Sequence, residues 1–226
     1  MTTIRVRYAA LCIALICFAC VRASADSVST TGAMTLIAAP GSIVQGSLES
    51  NTAQFVFQEQ SGLTLGSNLA VDVTTAGTFN SLASLTAGFI ASGTVVNSYL
   101  IHAEAVNVGA ASYMGSVTFN SAILGIIVLS KSLDNTDALL GHPGTLYPVA
   151  GSELSRGLEL GSALPFDSVI VSGQTVTFTD AVNGAQDEIR VITAAPVSTV
   201  PEPGSVLLLG TGLLGLVGAA RRKFLR

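Results

Sequence analysis

Residues 174–180 read QTVTFTD, with an apolar side chain at every second position and threonine between. In an extended chain Val176 and Phe178 line one face, and Thr175, Thr177 and Thr179 line the other. That is the pattern of a strand buried on one side only. The same chemistry recurs along the chain in QFVFQEQ (Gln54–Gln60), NLAVDVTT (Asn68–Thr75), SYLIHAEA (Ser98–Ala105), GSVTFN (Gly115–Asn120), AILGIIVLS (Ala122–Ser130), DSVIVSG (Asp167–Gly173) and DEIRVIT (Asp187–Thr193). Val, Ile, Thr and Phe suit a pleated surface, and the Gly, Asn, Ser and Pro between these stretches interrupt it. Ser172-Gly173 and Asn183-Gly184 are turn signals. Ala122–Ser130 is almost wholly apolar, which predicts a central strand buried on both faces. Helical spacing is scarce. Leu82, Leu85 and Phe89 show it weakly, and Asp134–Leu140, ending at Gly141, predicts one or two capped turns. Strands at this spacing without helices between them predict an all-β fold, a single antiparallel β-sandwich of jelly-roll type over residues 26–193.

The two ends follow a different logic. Arg5 and Arg7 precede thirteen uninterrupted apolar residues, Ala9–Val21, and Ala23-Ser24-Ala25 follows them. This order predicts a signal peptide over residues 1–25, cut by signal peptidase after Ala25. The apolar stretch is shorter than the ~20 residues a membrane helix needs. Cys12, Cys17 and Cys20 all fall inside it. The predicted mature chain therefore has no cysteine for a disulfide, a thiolate nucleophile or a metal. Cys20 follows Cys17-Phe18-Ala19, which lacks the bulky aliphatic residue that a lipidation site carries three positions earlier.

At the far end, a linker of small residues and a proline spans 194–200. Pro201-Glu202-Pro203 comes next, then an uncharged apolar run, then Arg221, Arg222, Lys223 and Arg226. The eighteen residues Pro203–Ala220 would make a helix roughly 27 Å long, enough for a bilayer core, with the transmembrane helix at about 204–220. The basic tail, 221–226, keeps that end cytoplasmic and places the bulk of the chain outside. The two prolines hold their segment extended and out of the helix.

This order of elements resembles the PEP-CTERM sorting signal of Gram-negative bacteria. The resemblance implies recognition of Pro201, Glu202 and Pro203 by an exosortase, a membrane-embedded transpeptidase-like enzyme, with Arg221, Arg222 and Lys223 as the basic stop. It further implies removal of the tail and delivery of the ectodomain to the cell surface or the exopolysaccharide matrix. Leu133–Thr193, through LDNTDALLGHPGTLYP, SRGLEL, DSVIVSGQTVTF and DEIRVIT, also resembles the end of ectodomains that often precede such tails. That likeness implies a β-rich surface domain and carries no catalytic residues with it.

Charge narrows the partners. Residues 26–199 hold thirteen acids against three bases, Lys131, Arg156 and Arg190, a net of −10. Such a surface repels nucleic acid and anionic headgroups, and leaves neutral glycans and cations as partners. Chemistry-bearing residues are few. His102 shares a strand face with Leu100 and Glu104, a pair able to hold a metal or a proton, although most such histidines are simply satisfied in a half-buried position. His142 lies in a Gly-His-Pro-Gly turn. Asp134-Asn135-Thr136-Asp137 gathers two carboxylates and an amide beside that turn. Asp134 and Asp137 are candidate Ca²⁺ ligands, the alternative being a helix cap and surface acids, because the order of an EF-hand loop is absent. No other cofactor is implied. Sugar binding would lean on Tyr99, Tyr113 and Tyr147, since the chain has no tryptophan. Tyr147 has two readings, a loop contact for sugar or a residue packing a turn. HExxH, GxSxG and Walker motifs are absent from the sequence. The function this predicts is a non-enzymatic structural or interaction protein of the surface or matrix. A carbohydrate-binding module for exopolysaccharide is the alternative, and a secreted hydrolase with an unidentified carboxylate pair is the second alternative.

Overall fold

A computed structural model of the protein describes residues 27–149, 156–160, 167–195 and 210–212. The unit Asp26–Pro196 is compact in itself. In chain order its strands are β1 (Val28–Gly32), β2 (Met34–Leu36), β3 (Gln54–Thr64), β4 (Leu69–Val71), β5 (Gly77–Phe79), β6 (Gly88–Ile90), β7 (Val95–Glu104), β8 (Tyr113–Phe119), β9 (Ile123–Ile127), β10 (Ser168–Ser172), β11 (Thr175–Asp180) and β12 (Gln186–Ala194). Helix α1 (Ser130–Leu140) lies between β9 and β10. All eight stretches singled out by residue pattern fall on strands. The strands that pattern missed are β1, β2, β5 and β6. Three of these are three residues long, too short to display a period of two.

One five-stranded sheet has the order β1-β8-β11-β10-β5 and a second has β2-β3-β7-β12-β9. The pairs are antiparallel except β2 with β3. The sheets face one another across a shared core. Val117, Phe119, Val169, Val176 and Phe178 come from the first, and Val56, Tyr99, Ile101, Ile189 and Val191 from the second. The chain passes repeatedly between sheets, from β7 to β8, back to β9, over to β10 and β11, and back to β12. Gly173 and Gln174 join β10 to β11, and Gly173 takes the positive φ of 59° that the tight turn requires. On the outer side of β11 the hydroxyls pair across strands, Thr118 with Thr175 and Ser116 with Thr177, both at 2.8 Å.

The second sheet is covered on both sides. Its outer face packs Phe57, Val96, Leu100, Ile127 and Ile192 against Ile43 and Leu69, Val71 and Ile90 of the β4–β6 pair. Leu133 and Leu140 of α1 close the same cluster. This explains why Ala122–Ser130 is apolar. The expectation of a central strand is corrected, because β9 lies at the sheet edge. It is buried because α1 and the β4–β6 layer cover it, and its free edge bonds to Val73. Covering an edge in this way removes an aggregation-prone row of unpaired amides.

The helix also departs from expectation. It begins at Ser130, four residues before Asp134, with Leu129 at the N-cap and no side-chain cap bond. Asp134 sits within the helix and is not its cap. Gly141 ends it with φ −65°, so left-handed geometry does not explain the glycine. Contact does, since a Cβ there would come 2.5 Å from the Asp137 carbonyl oxygen and 2.8 Å from the Tyr147 ring. Leu82–Ser84 forms a single 3-10 turn, and Phe89 belongs to β6.

The crossing from β1 to β2 requires a glycine in the opposite strand. Gly115 of β8 faces Met34, and a Cβ on it would lie 2.5 Å from the Met34 backbone nitrogen. A backbone atom cannot move aside as a flexible side chain can. Gly115→Ala is expected to cost about 1–3 kcal/mol by overpacking. Urea denaturation would register it as a lower midpoint at unchanged slope.

Candidate functional site

The outward face of the second sheet changes character along β12. Ile192 is apolar, while Arg190, Glu188 and Gln186 follow at the same side-chain period. All three polar residues are buried, and Arg190 and Glu188 are 0% exposed. A buried guanidinium is tolerable only when its donors are matched. Arg190 matches all five. Its Nε and Nη2 donate to the two oxygens of Glu59 on β3 at 2.7 and 2.8 Å, and Nη2 also donates to Asp137 at 2.8 Å. Its Nη1 reaches the Thr136 hydroxyl at 2.6 Å and the Leu133 carbonyl at 3.3 Å. The same guanidinium thus binds two strands of the sheet to α1.

Arg156 repeats the arrangement beside it and is also 0% exposed. It donates to Glu188 at 2.5 Å, to Asp134 at 3.0 Å, and to both oxygens of Asp137 at 2.6 and 3.0 Å. Its carbonyl accepts the Glu188 amide, which docks its segment on β12. The Tyr147 ring lies 5.8 and 5.9 Å from the two guanidinium carbons, within cation–π range. The Tyr147 hydroxyl donates to Glu59 at 2.7 Å and accepts the His142 amide at 2.8 Å. Burial and the Glu59 charge hold this phenol well above its ordinary pKa.

His102 extends the network along β7. Its Nδ1 is 3.1 Å from Glu188, and its Nε2 is 3.1 Å from the Leu48 carbonyl and 3.6 Å from Glu104. Both ring nitrogens face acceptors, so the doubly protonated imidazolium satisfies both. Burial alone favours the neutral ring, but Glu104 and Glu188 outweigh it and raise the pKa to about 9. With His102 charged, three cations meet five carboxylates, those of Glu59, Glu104, Asp134, Asp137 and Glu188. The donors are committed to internal partners. The arrangement clamps α1 and its following loop to the sheet.

The residues singled out by sequence are thus redistributed. Asp134 and Asp137, expected as candidate Ca²⁺ ligands, lie on α1 with their oxygens turned to arginine, which supplies the positive charge they need. His102, Leu100 and Glu104 do share a strand face. His142 organises its turn, with Nδ1 accepting the Gly144 amide at 3.1 Å. Tyr99 and Tyr113 are buried, at 1% and 3% exposed. Ala25, Pro201, Glu202, Pro203, Arg221, Arg222 and Lys223 lie outside the described residues. Of the 204–220 span only residues 210–212 are described, and they are helical. Among the described residues no helix is long and apolar enough to cross a membrane.

Glu59, Arg156, Glu188 and Arg190 were not anticipated as a unit. A signal was available in DEIRVIT, where a charged residue replaces an apolar one at successive outward positions of a strong strand. Glu159, Asp167 and Asp187 were also missed. Among the described residues they are the group of acids whose oxygens converge, all within 4.8 Å of one another. A shallow groove elsewhere, of about 300 Å³, is lined by Leu36, Ile37, Ala39, Gln58 and Tyr99 and contains no titratable carboxylate or imidazole.

Among known families, the model of the PEP-CTERM protein-sorting motif matches residues 199–223. Neither a curated protein nor a solved structure matches the chain significantly.

Removing one member of a buried ion pair strands the other, so Arg190→Met is expected to cost about 3–5 kcal/mol. Adding Glu59→Gln to it should recover about 1 kcal/mol or more, measured as a coupling energy in urea denaturation. His102 yields a pH dependence. A histidine raised from 6.5 to about 9 by folding contributes stability that is complete below pH 6.5 and is lost as pH rises through 9. The melting temperature should therefore fall between those values, and His102→Gln should flatten the slope. Asp180, raised by burial to about 8 although the His102 charge pulls it down, acts in the same direction, so the comparison is made in an Asp180→Asn background, where the difference reports the imidazole.

Proposed function

From the premise that residues 199–223 are a PEP-CTERM protein-sorting motif, we propose that this chain is an exosortase substrate whose ectodomain serves a structural or interaction role at the cell surface. The motif implies exosortase processing and export to the cell envelope or surface. In this reading signal peptidase cuts after Ala25. The 204–220 helix tethers the chain to the inner membrane for a time, and Arg221, Arg222 and Lys223 hold its orientation. Exosortase then grips Pro201-Glu202-Pro203 and releases the domain toward the surface or the exopolysaccharide matrix. The repeated passage of the chain between the sheets supports a β-sandwich of jelly-roll type.

A non-enzymatic role is supported by the fate of the polar residues. Arg190 is paired with Glu59, and Arg156 and His102 with Glu188, all of them buried, which suits a load of stability more than a reacting centre. Sugar binding has weaker support, because Tyr99 and Tyr113 are in the interior and Tyr147 lies against two guanidiniums. A hydrolase has least, since no carboxylate pair opens onto the groove described above.

The observation that carries the reading is the motif itself, placed directly after the last strand of the domain. Replacing Pro201, Glu202 and Pro203 together with alanine should leave the unprocessed, heavier chain in the inner-membrane fraction. Immunoblots of fractionated cells would show the shift. Full surface delivery of the triple variant would overturn the sorting assignment.

A further inference from the structure

The acids at the opposite side of β12 have none of the compensation that Arg156 and Arg190 provide. Asp187 points inward, between the sheets, near the start of β12. Asp167 immediately precedes β10 of the other sheet, and Glu159 lies on the segment that runs beside β9 and β12. Their carboxylate oxygens approach within 4.8 Å of one another, with Asp167 and Asp187 buried and Glu159 exposed. Asp167 is held rigidly. One oxygen accepts the Glu159 amide at 3.0 Å and the other the Ala181 amide at 3.2 Å. Asp187 is 1% exposed, and no amide, hydroxyl or basic group donates to either of its oxygens, the neighbouring Glu159 carboxyl being able to do so only when protonated. Asp180, at the end of β11, also has two buried oxygens without a partner. Its charge bears on Asp187, as do those of Asp167 and Glu159.

Unpaired buried carboxylates are costly, and a native structure that keeps several together supplies either protons or a cation. We propose that Glu159, Asp167 and Asp187 form a Ca²⁺ site that pins the two sheets together at this end of the domain. The donor set is all carboxylate oxygen, which suits a hard divalent ion. Bonds of about 2.3–2.6 Å let one Ca²⁺ touch oxygens up to about 5 Å apart, whereas Mg²⁺, at about 2.1 Å, needs them closer. Asp167 is already oriented by two backbone amides, and Asp187 offers both oxygens. Glu159 is the exposed member through which an ion arrives from solvent. Binding neutralises charge between the sheets and ties β12 to the start of β10. This site is distinct from Asp134 and Asp137, whose oxygens are held by arginine. It does not depend on the sorting assignment.

Calorimetric titration of the purified full-length chain, stripped with EGTA and dialysed, tests the site directly. The expected result is about one Ca²⁺ per chain with Kd of about 1 mM or tighter, and weaker binding of Mg²⁺. At about ten times Kd the melting temperature should rise by a few degrees. Asp187→Asn should abolish both effects, and it should raise the melting temperature of the metal-free protein because a buried unpaired charge is gone. Glu159→Gln, at an exposed position where folding is not at risk, should weaken binding by about tenfold or more. Absence of heat and of any thermal shift at about 10 mM Ca²⁺ would overturn the site, leaving proton sharing as what stabilises the acids. Binding unchanged in Glu159→Gln but lost in Asp134→Asn would also overturn it, and would move the ion to the helix.

Discussion

The Arg190 guanidinium is the interaction on which the outer layer of this domain depends. Burying it is expensive, and every one of its N–H groups is answered: by Glu59 from β3, by Asp137 and Thr136 from α1, and by the Leu133 carbonyl. Those partners are far apart in sequence and meet only if α1 lies flat on the second sheet. Arg156 then joins the same Asp137 to Glu188. A weakly amphipathic eleven-residue helix without an N-terminal side-chain cap has little stability of its own. Two buried arginines and the apolar contacts of Leu133 and Leu140 hold it in place. The helix in turn covers part of the outer face of the second sheet, while the backbone at Val73 bonds the free edge of β9.

β12 divides two electrostatic environments. On its outer side Glu188 and Arg190 are matched by opposite charges, and His102 is drawn into the cationic form to complete the match. On its inner side Asp187 meets Asp167 and Glu159 with no base among them. The same strand therefore carries a network matched in charge and a cluster of acids without a base, one residue apart. This follows from the period of two along a strand. The chain carries thirteen acids and three bases between residues 26 and 199. Two of those bases are spent on the outer network, so the inner acids are left to protons or a cation.

Much of the strand content was legible because alternation such as that of Thr175–Asp180 reports burial on one side directly. Ala122–Ser130 shows where this inference ends. An apolar run reports burial on both faces, and it does not distinguish a central strand from an edge strand under a second layer. The site residues were harder to read. Asp134 and Asp137 look like ligands in sequence because two acids beside a turn have no visible partner, and their partner Arg156 is about twenty residues away. Glu159, Asp167 and Asp187 lie in three separate stretches, and nothing local marks them as neighbours.

By itself the sequence determined the β character of the domain and the sorting address. Strand burial is written in neighbouring residues, and the motif at 199–223 is a linear signal. Only the tertiary structure decided which charges neutralise one another. That depends on the order of strands in the sheets and the seat of α1 on β12, which bring together residues more than a hundred positions apart, such as Glu59 and Arg190. Charge pairing is a property of distance and burial, and neither is encoded in a short stretch of chain.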